Sequence, residues 1–371
     1  MQDRKKVLLV SPLPPPYGGI SHWTKLITNY SARHPSRIQL RVVDTAPRYR
    51  TVFQLSFIKR ILFGLPSALE WTRFYIKGIF SAEIQAVHIT TSGQYALFRD
   101  IIFLFLARLA RKPTILHLRI GRTPQILQSQ SLERRLLRQA FYLATKVIAI
   151  DQSTFQALLQ TLPASKAQLI PNCIDLERIP RCDIDRKKNI VVFAGWVIKA
   201  KGVEDLLSAW DQAASSEWTL KIVGPYDEQY LAELQQKYRL RHVEFLGQKD
   251  NLELLEILSE AAIFCLPSHT EGFPNVILEA MATKCAIIAT SVGAIPEMLS
   301  AGCGSVVEPH NPQELAQQLE KLMSFANCRK LLVENAQKKV CENYSVSVVY
   351  ARYEALWKQI SQNYCKPAIE P

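Results

Sequence analysis

The sequence predicts an α/β protein made of two doubly wound domains, each on a parallel sheet. Three observations point there. Short apolar runs alternate with longer helical patterns along the whole chain. The runs are mostly continuous rather than alternating, as strands covered on both faces require. The chain of 371 residues has room for two domains of ordinary size.

In the first half the predicted strands are Lys6–Ser11, Ile38–Asp44, Ile84–Thr90, Thr114–Leu118 and Lys146–Ile150. In the second they are Asn189–Gly195, Thr219–Gly224, His242–Gly247, Ala262–Pro267 and Ala286–Thr290. Helical spacing separates them, as in Val203–Ala213 and Glu228–Lys237, so the strand–helix alternation runs twice. Pro171 to Lys188, with two prolines, a charged run and no periodicity, reads as a linker. The predicted domains are therefore residues 1–175 and 176–345, followed by a helical segment, 346–371, that packs back across the linker.

Composition removes several classes. Hydrophobic residues make up 48% and charged residues 21%, which excludes a disordered chain, a collagen and a coiled-coil rod. Met1 to Val10 lacks the apolar core of a secretory leader. Ile101 to Ala110 is too short to span a bilayer and contains Arg108. None of the eight cysteines forms a Cys-x-x-Cys pair, so they read as reduced thiols in a cytosolic protein, with no metal expected.

Charge is uneven. Residues 1–180 carry 25 Lys and Arg against 9 Asp and Glu, and the remainder carries 20 against 24. A basic half calls for an anionic partner: nucleic acid, an acidic membrane surface or a phosphorylated substrate. Between Val52 and Phe80, Lys59, Arg60, Arg73 and Lys77 stand among Phe53, Phe57, Phe63, Trp71, Phe74, Tyr75 and Phe80. Basic amphipathic helices of this kind lie on anionic membranes, or cover a sheet with their apolar face. No compact nucleic-acid recognition motif accompanies the charge.

In open α/β sheets ligands bind outside the carboxyl ends of the strands. Three stretches fall there. After the first strand, Gly18 and Gly19 precede a helical pattern, as a ligand loop or an ordinary turn would. The stretch is neither a dinucleotide-binding Gly-x-Gly-x-x-Gly nor a Walker loop. After Gly195, Lys199 and Lys201 stand in a loop before Gly202, within reach of a phosphate or simply solvated. After Pro267 comes Ser268-His-Thr-Glu-Gly-Phe-Pro-Asn-Val-Ile-Leu-Glu279. Pro274 suits the first turn of a helix, whose free amides would seat a diphosphate. Asn275 and Glu279 share a face of that helix. Glu271 and Glu279 beside such a seat suit sugar hydroxyls, since a carboxylate accepts several hydrogen bonds.

This last stretch resembles the signature of retaining, GT-B-fold glycosyltransferases of family 4. Gly195…Lys201-Gly202, Asn172-Cys-Ile-Asp175, Val223-Gly224, Phe245-Leu-Gly247 and Val292-Gly-Ala-Ile-Pro-Glu297 keep that family's order. The resemblance implies two Rossmann-like domains facing across a cleft. It implies transfer of a sugar from a UDP- or GDP-linked donor to a hydroxyl, without a metal or other cofactor. The implied catalytic residues are Glu271, His117 and Lys201. The implied donor-binding residues are Gly19, Gly195, Lys199, Lys201, Gly224, Gly247, Gly272, Phe273, Asn275, Val276 and Glu279. Gly18, Arg119 and Arg122 fall on the acceptor side. Trp196 departs from the family's usual Arg, and Cys173 from its usual Gly. The expected partners are the nucleotide sugar, a glycan or lipid-linked acceptor and the inner face of the cell membrane, with no nucleic acid. A nucleic-acid protein using the basic half and a non-catalytic nucleotide-sugar sensor are the competing readings.

Overall fold

A computed structural model describes residues 5–15, 18–35, 38–46, 69–213 and 216–364. The chain divides into two compact units. One runs to Asn172 and resumes at Val346, and the other is Cys173–Ser345.

The first unit opens with β1 (Lys5–Ser11), α1 (Gly19–Arg33) and β2 (Ile38–Asp44), then α2 over 69–79. It continues through β3 (Ile84–Thr91), α3 (Ala96–Leu109), β4 (Thr114–Leu118), α4 (Thr123–Gln128), α5 (Leu132–Leu143), β5 (Lys146–Ala149), α6 (Gln152–Leu159) and β6 (Ala167–Leu169). The strands form one parallel sheet in the order β2-β1-β3-β4-β5-β6. The apolar runs explain the centre of this sheet: Val7, Leu8, Leu9 and Val10 are all buried, as are all five residues of β4. Helix starts are set by side-chain caps, Ser131 accepting from the Arg134 amide and Asp151 from that of Thr154.

The second unit repeats the logic. Its elements are β7 (Lys188–Ala194), α7 (Val203–Ala213), β8 (Thr219–Val223), α8 (Glu228–Lys237), β9 (Val243–Gly247), α9 (Asn251–Glu260), β10 (Ala261–Leu266), α10 (Asn275–Ala282), β11 (Ala286–Thr290), α11 (Ile295–Met298), β12 (Ser305–Val307), α12 (Pro312–Ser324) and α13 (Ala326–Lys339). The parallel order is β12-β11-β10-β7-β8-β9. All six residues of β10 are buried, as its central place demands. A capping box, Asp250 with Glu253, starts α9.

The doubly wound α/β expectation is met in both units. The sequence pattern missed β6 and β12, each a three-residue edge strand with too little apolar length to register. The linker segment is more ordered than its composition suggests. Asp175 and Asp183 each cap a single turn, and the Ile174 amide donates to the Tyr344 carbonyl.

The last helix, α14 (Val346–Tyr364), belongs to the first unit. Its Tyr350 hydroxyl donates to Ser31 of α1 at 2.9 Å, and Tyr353 and Trp357 are fully buried. The described cysteines are all free thiols. Lys59, Arg60, Phe53, Phe57 and Phe63, named above as a membrane-facing segment, lie outside the described residues. Among the described residues no helix is long and apolar enough to cross a membrane.

Candidate functional site

In the second unit the predicted residues gather at the carboxyl ends of β7, β8, β9 and β10. The loop after β7 holds Lys199 and Lys201, and the loop after β10 holds Ser268 to Phe273. The His269 amide ties the two loops together by donating to the Ala200 carbonyl at 2.9 Å. Gly202 makes this approach possible. Its φ is +66°, and a Cβ there would stand 1.8 Å from the Pro267 carbonyl oxygen. Gly224 does the same at the neighbouring strand, where a Cβ would meet the Gly195 carbonyl oxygen at 1.8 Å. The Gly195 amide donates to Val223, and the Gly224 amide to Gly247. The three glycine-ended strands therefore finish level.

Lys201 and Glu271 are brought together directly. The Lys201 ammonium donates to Glu271 Oε1 at 2.6 Å, and Ser268 Oγ donates to the same oxygen at 2.7 Å. The Glu271 side chain is 10% exposed and that of Lys201 25%. Lys201 keeps further N–H donors for an anion, because an ammonium carries three. Lys199 is exposed, with its nitrogen 4.0 Å from Glu204. Trp196 stands 57% exposed at the loop's start.

Glu279 is separate from that pair. It is buried on α10, where Asn251 Nδ2 donates to its Oε1 at 2.9 Å. Burial pushes its pKa up to about 7, and the Asn251 hydrogen bond opposes the rise. Asn275 opens α10, with Pro274 one residue outside the helix as its cap rather than inside its first turn. Phe273 is buried edge-on to Tyr344, and the Ala294 amide holds the Gly272 carbonyl at 2.9 Å.

Sequence reasoning singled out neither Asn251 nor Asp205. Asn251 sits at the start of α9 and reaches Glu279 only through the fold. Asp205 Oδ2 lies 2.7 Å from His269 Nε2, and the His269 and His310 ring centres are 3.7 Å apart with the planes tilted by 35°. Asp205, His269 and His310 place ligand-type atoms within 4.8 Å of one another, a grouping not anticipated from the sequence.

In the first unit the predicted residues lie at the carboxyl edge of the sheet. Gly18 is the extended cap of α1, and both Gly18 and Gly19 are exposed with open space where a Cβ would project. Arg119 is held on several sides. It donates to Asn172 Oδ1 at 2.6 Å and to the Gly19 carbonyl at 3.3 Å, and its guanidinium lies 5.0 Å from the Trp23 ring centre. Arg122 donates to both carboxylate oxygens of Glu133 at 3.0 Å.

His117 is fully buried rather than open to solvent, packed by Trp23, His88 and Tyr353. A hydrogen-bond chain fixes its proton. The Trp357 indole N–H can only donate, so His88 Nδ1 accepts it, at 3.1 Å. His88 Nε2 then carries the ring proton and donates to His117 Nδ1, at 3.2 Å. The proton of neutral His117 is thereby on Nε2, which is buried and has no hydrogen-bond partner among the described residues. Burial and the Arg119 charge hold both rings neutral, His88 down to about 3 and His117 well below the usual imidazole range.

Residues 177–339 match the family described as glycosyl transferases, group 1. That stretch contains the Lys201–Glu271 pair, Glu279 and all three glycine-ended strands. Among similar proteins is the Staphylococcus aureus capsular polysaccharide biosynthesis glycosyltransferase CapM, 24% identical over 246 residues. That match covers 59% of this chain and 62% of the relative, less than two thirds of its length. Among solved structures, Anabaena Alr3699/HepE in complex with UDP has a TM-score of 0.72 at 19% identity, covering 96% of this chain and all of that one. Sucrose-phosphate synthase from Thermosynechococcus elongatus has a TM-score of 0.73 at 19% identity, covering 97% of this chain and all of that one. The two units of this chain carry the pair of Rossmann-like folds of the GT-B class.

Proposed function

We propose that the chain transfers a sugar from a UDP- or GDP-linked donor to a hydroxyl of a glycan or lipid-linked acceptor, in polysaccharide or glycolipid assembly. Transfer retains the anomeric configuration and needs no metal or other cofactor. The observation that carries the reading is the Lys201–Glu271–Ser268 node at the ends of the strands, inside a group 1 transferase domain. The HepE structure's complex with UDP and CapM's role in capsular polysaccharide synthesis support the same class of donor and product.

In this reading Lys201, steered by Glu271, faces the donor diphosphate and stabilises the charge that develops as it leaves. Lys199 assists where the family's usual Arg is replaced by Trp196. The amides of Gly272 to Val276, with Phe273 behind them and Asn275 at the helix start, complete the phosphate and sugar seat. Glu279 accepts the ribose hydroxyls. The base rests by Gly195, Gly224 and Gly247. Glu271 also lies on the face of the donor sugar. In the first unit His117, buried in this structure, reaches an oxygen of the transferred sugar through its Nε2–H once the cover over it opens. Gly18 and Gly19 leave room for ligand, and Arg119 and Arg122 border the acceptor. An anionic membrane surface is the proposed site of work.

The test is a melting-temperature panel with UDP, GDP, ADP and their sugar conjugates, with and without EDTA. A ligand at 100 times its Kd adds about 2.7 kcal/mol. The expected outcome is a shift from one nucleotide, indifferent to EDTA. Turnover with that donor should fall in Glu271→Ala, and donor affinity in Glu279→Ala. No shift from any nucleotide sinks the reading, and a shift abolished by EDTA and restored by zinc moves attention to Asp205, His269 and His310.

A further inference from the structure

At the amino ends of β4 and β5 the first unit has a cavity of about 270 Å³. Arg108, Lys112 and Lys166 line it with Tyr142, Thr114 and Thr145, and no carboxylate does. Three cations thus share one small volume. Lys112 donates to the carbonyls of Ser81 and Ile84, and Lys166 to that of Tyr142. Arg108 lies 5.3 Å from the Tyr142 ring centre. Burial, and after it the Arg108 charge, pulls the Lys166 pKa down. An anion in the cavity would relieve that repulsion.

The cavity opens beside an apolar face. Phe98, Ile102, Phe105 and Leu109 lie on one side of α3 and are 49%, 55%, 50% and 63% exposed. They lead to Arg108 at the cavity, where Tyr142 is 66% exposed. A cation-lined cavity and an exposed apolar stripe on adjoining surface match the two layers of a membrane leaflet. A free phosphate accounts for the cavity but leaves the stripe unexplained.

We propose that this cavity holds the phosphate of an anionic phospholipid headgroup while the stripe of α3 rests on the acyl boundary. The cavity is at the opposite sheet edge from His117, Arg119 and Gly18, so it is a tether and lies outside the transfer site. The inference deepens the membrane partner of the proposed function and rests on that reading for its purpose.

The test is sedimentation of the full chain with phosphatidylcholine vesicles, alone and mixed with phosphatidylglycerol. Only the mixed vesicles should bind. Arg108→Ala with Lys166→Ala should weaken that binding about thirtyfold, at about 1 kcal/mol per cation near the surface. Ile102→Ser with Phe105→Ser should weaken it in high salt as well. An unchanged melting temperature shows that each variant is folded. Equal binding of wild type and Arg108→Ala/Lys166→Ala overturns the proposal. So does stabilisation by inorganic phosphate, dependent on those two residues, in a protein that binds neither vesicle. Vesicle binding is read without nucleotide. Its loss with nucleotide shifts intact therefore sinks only this inference, and the reverse sinks only the proposed function.

Discussion

Glu279 shows how one carboxylate records its surroundings. Its pKa in the fold is about 7, above the ordinary glutamate value of 4.5. A raised value means that ionising it costs the folded state. The stability of the neutral form is complete below pH 4.5 and is lost as the pH rises through about 7. Glu279→Gln should therefore be more stable than wild type at pH 8, by about 1–3 kcal/mol, with the gap closing at pH 5. Denaturant midpoints at the two pH values check this, and a gap constant with pH would refute it. His88 and His117 have the opposite sign. Their neutral forms support the fold fully above the ordinary histidine value of 6.5, and that support fades as the pH falls, for His88 through about 3. The sequence brought Glu271, Glu279 and Lys201 into view because they repeat a family spacing. It hid Asn251, 28 residues from Glu279 in the chain, and Asp205, which stands just after Lys201 but meets His269 only through the fold.

At the scale of elements, the helix α14 sets a proton in a sheet far from it in sequence. Trp357 donates to His88 of β3, and His88 to His117 of β4. Trp357→Phe leaves the His88 acceptor unsatisfied, at a cost of about 1–3 kcal/mol. It should also convert His117 from a single tautomer to a mixture, read from long-range nitrogen–proton correlations of its ring. A single, unchanged tautomer would show that His88 sets the proton without Trp357. The central strands were legible from sequence because burial on both faces leaves unbroken apolar runs such as Val7–Val10. The edge strands were not, because β6 and β12 need only three residues to pair on one side. The helical pattern after Val346 was legible, and a return across the linker was expected of it, but the contacts it makes were not. Its destination depends on Tyr350, Tyr353 and Trp357 finding Ser31, Trp23 and His88, contacts with no local signature.

For the whole molecule, the second unit is an insertion within the first. The chain leaves at Asn172 and re-enters at Val346, while Ile174 and Ser345 pair as a short bridge within the second unit. Ending the chain after Ser345 should spare that unit and loosen the first, which loses the cover of Trp23 and His88. Limited proteolysis checks this, with cleavage expected before Asn172 and protection of 173–345. Equal protection of both units would refute it. The same layout bears on synthesis. Domains form as they leave the ribosome, at about 5–20 residues per second. The inserted unit is complete while its host still lacks a wall. The buried imidazoles and Trp23 must wait, exposed, for a helix translated after the entire insertion. The half that begins first is the half that finishes last.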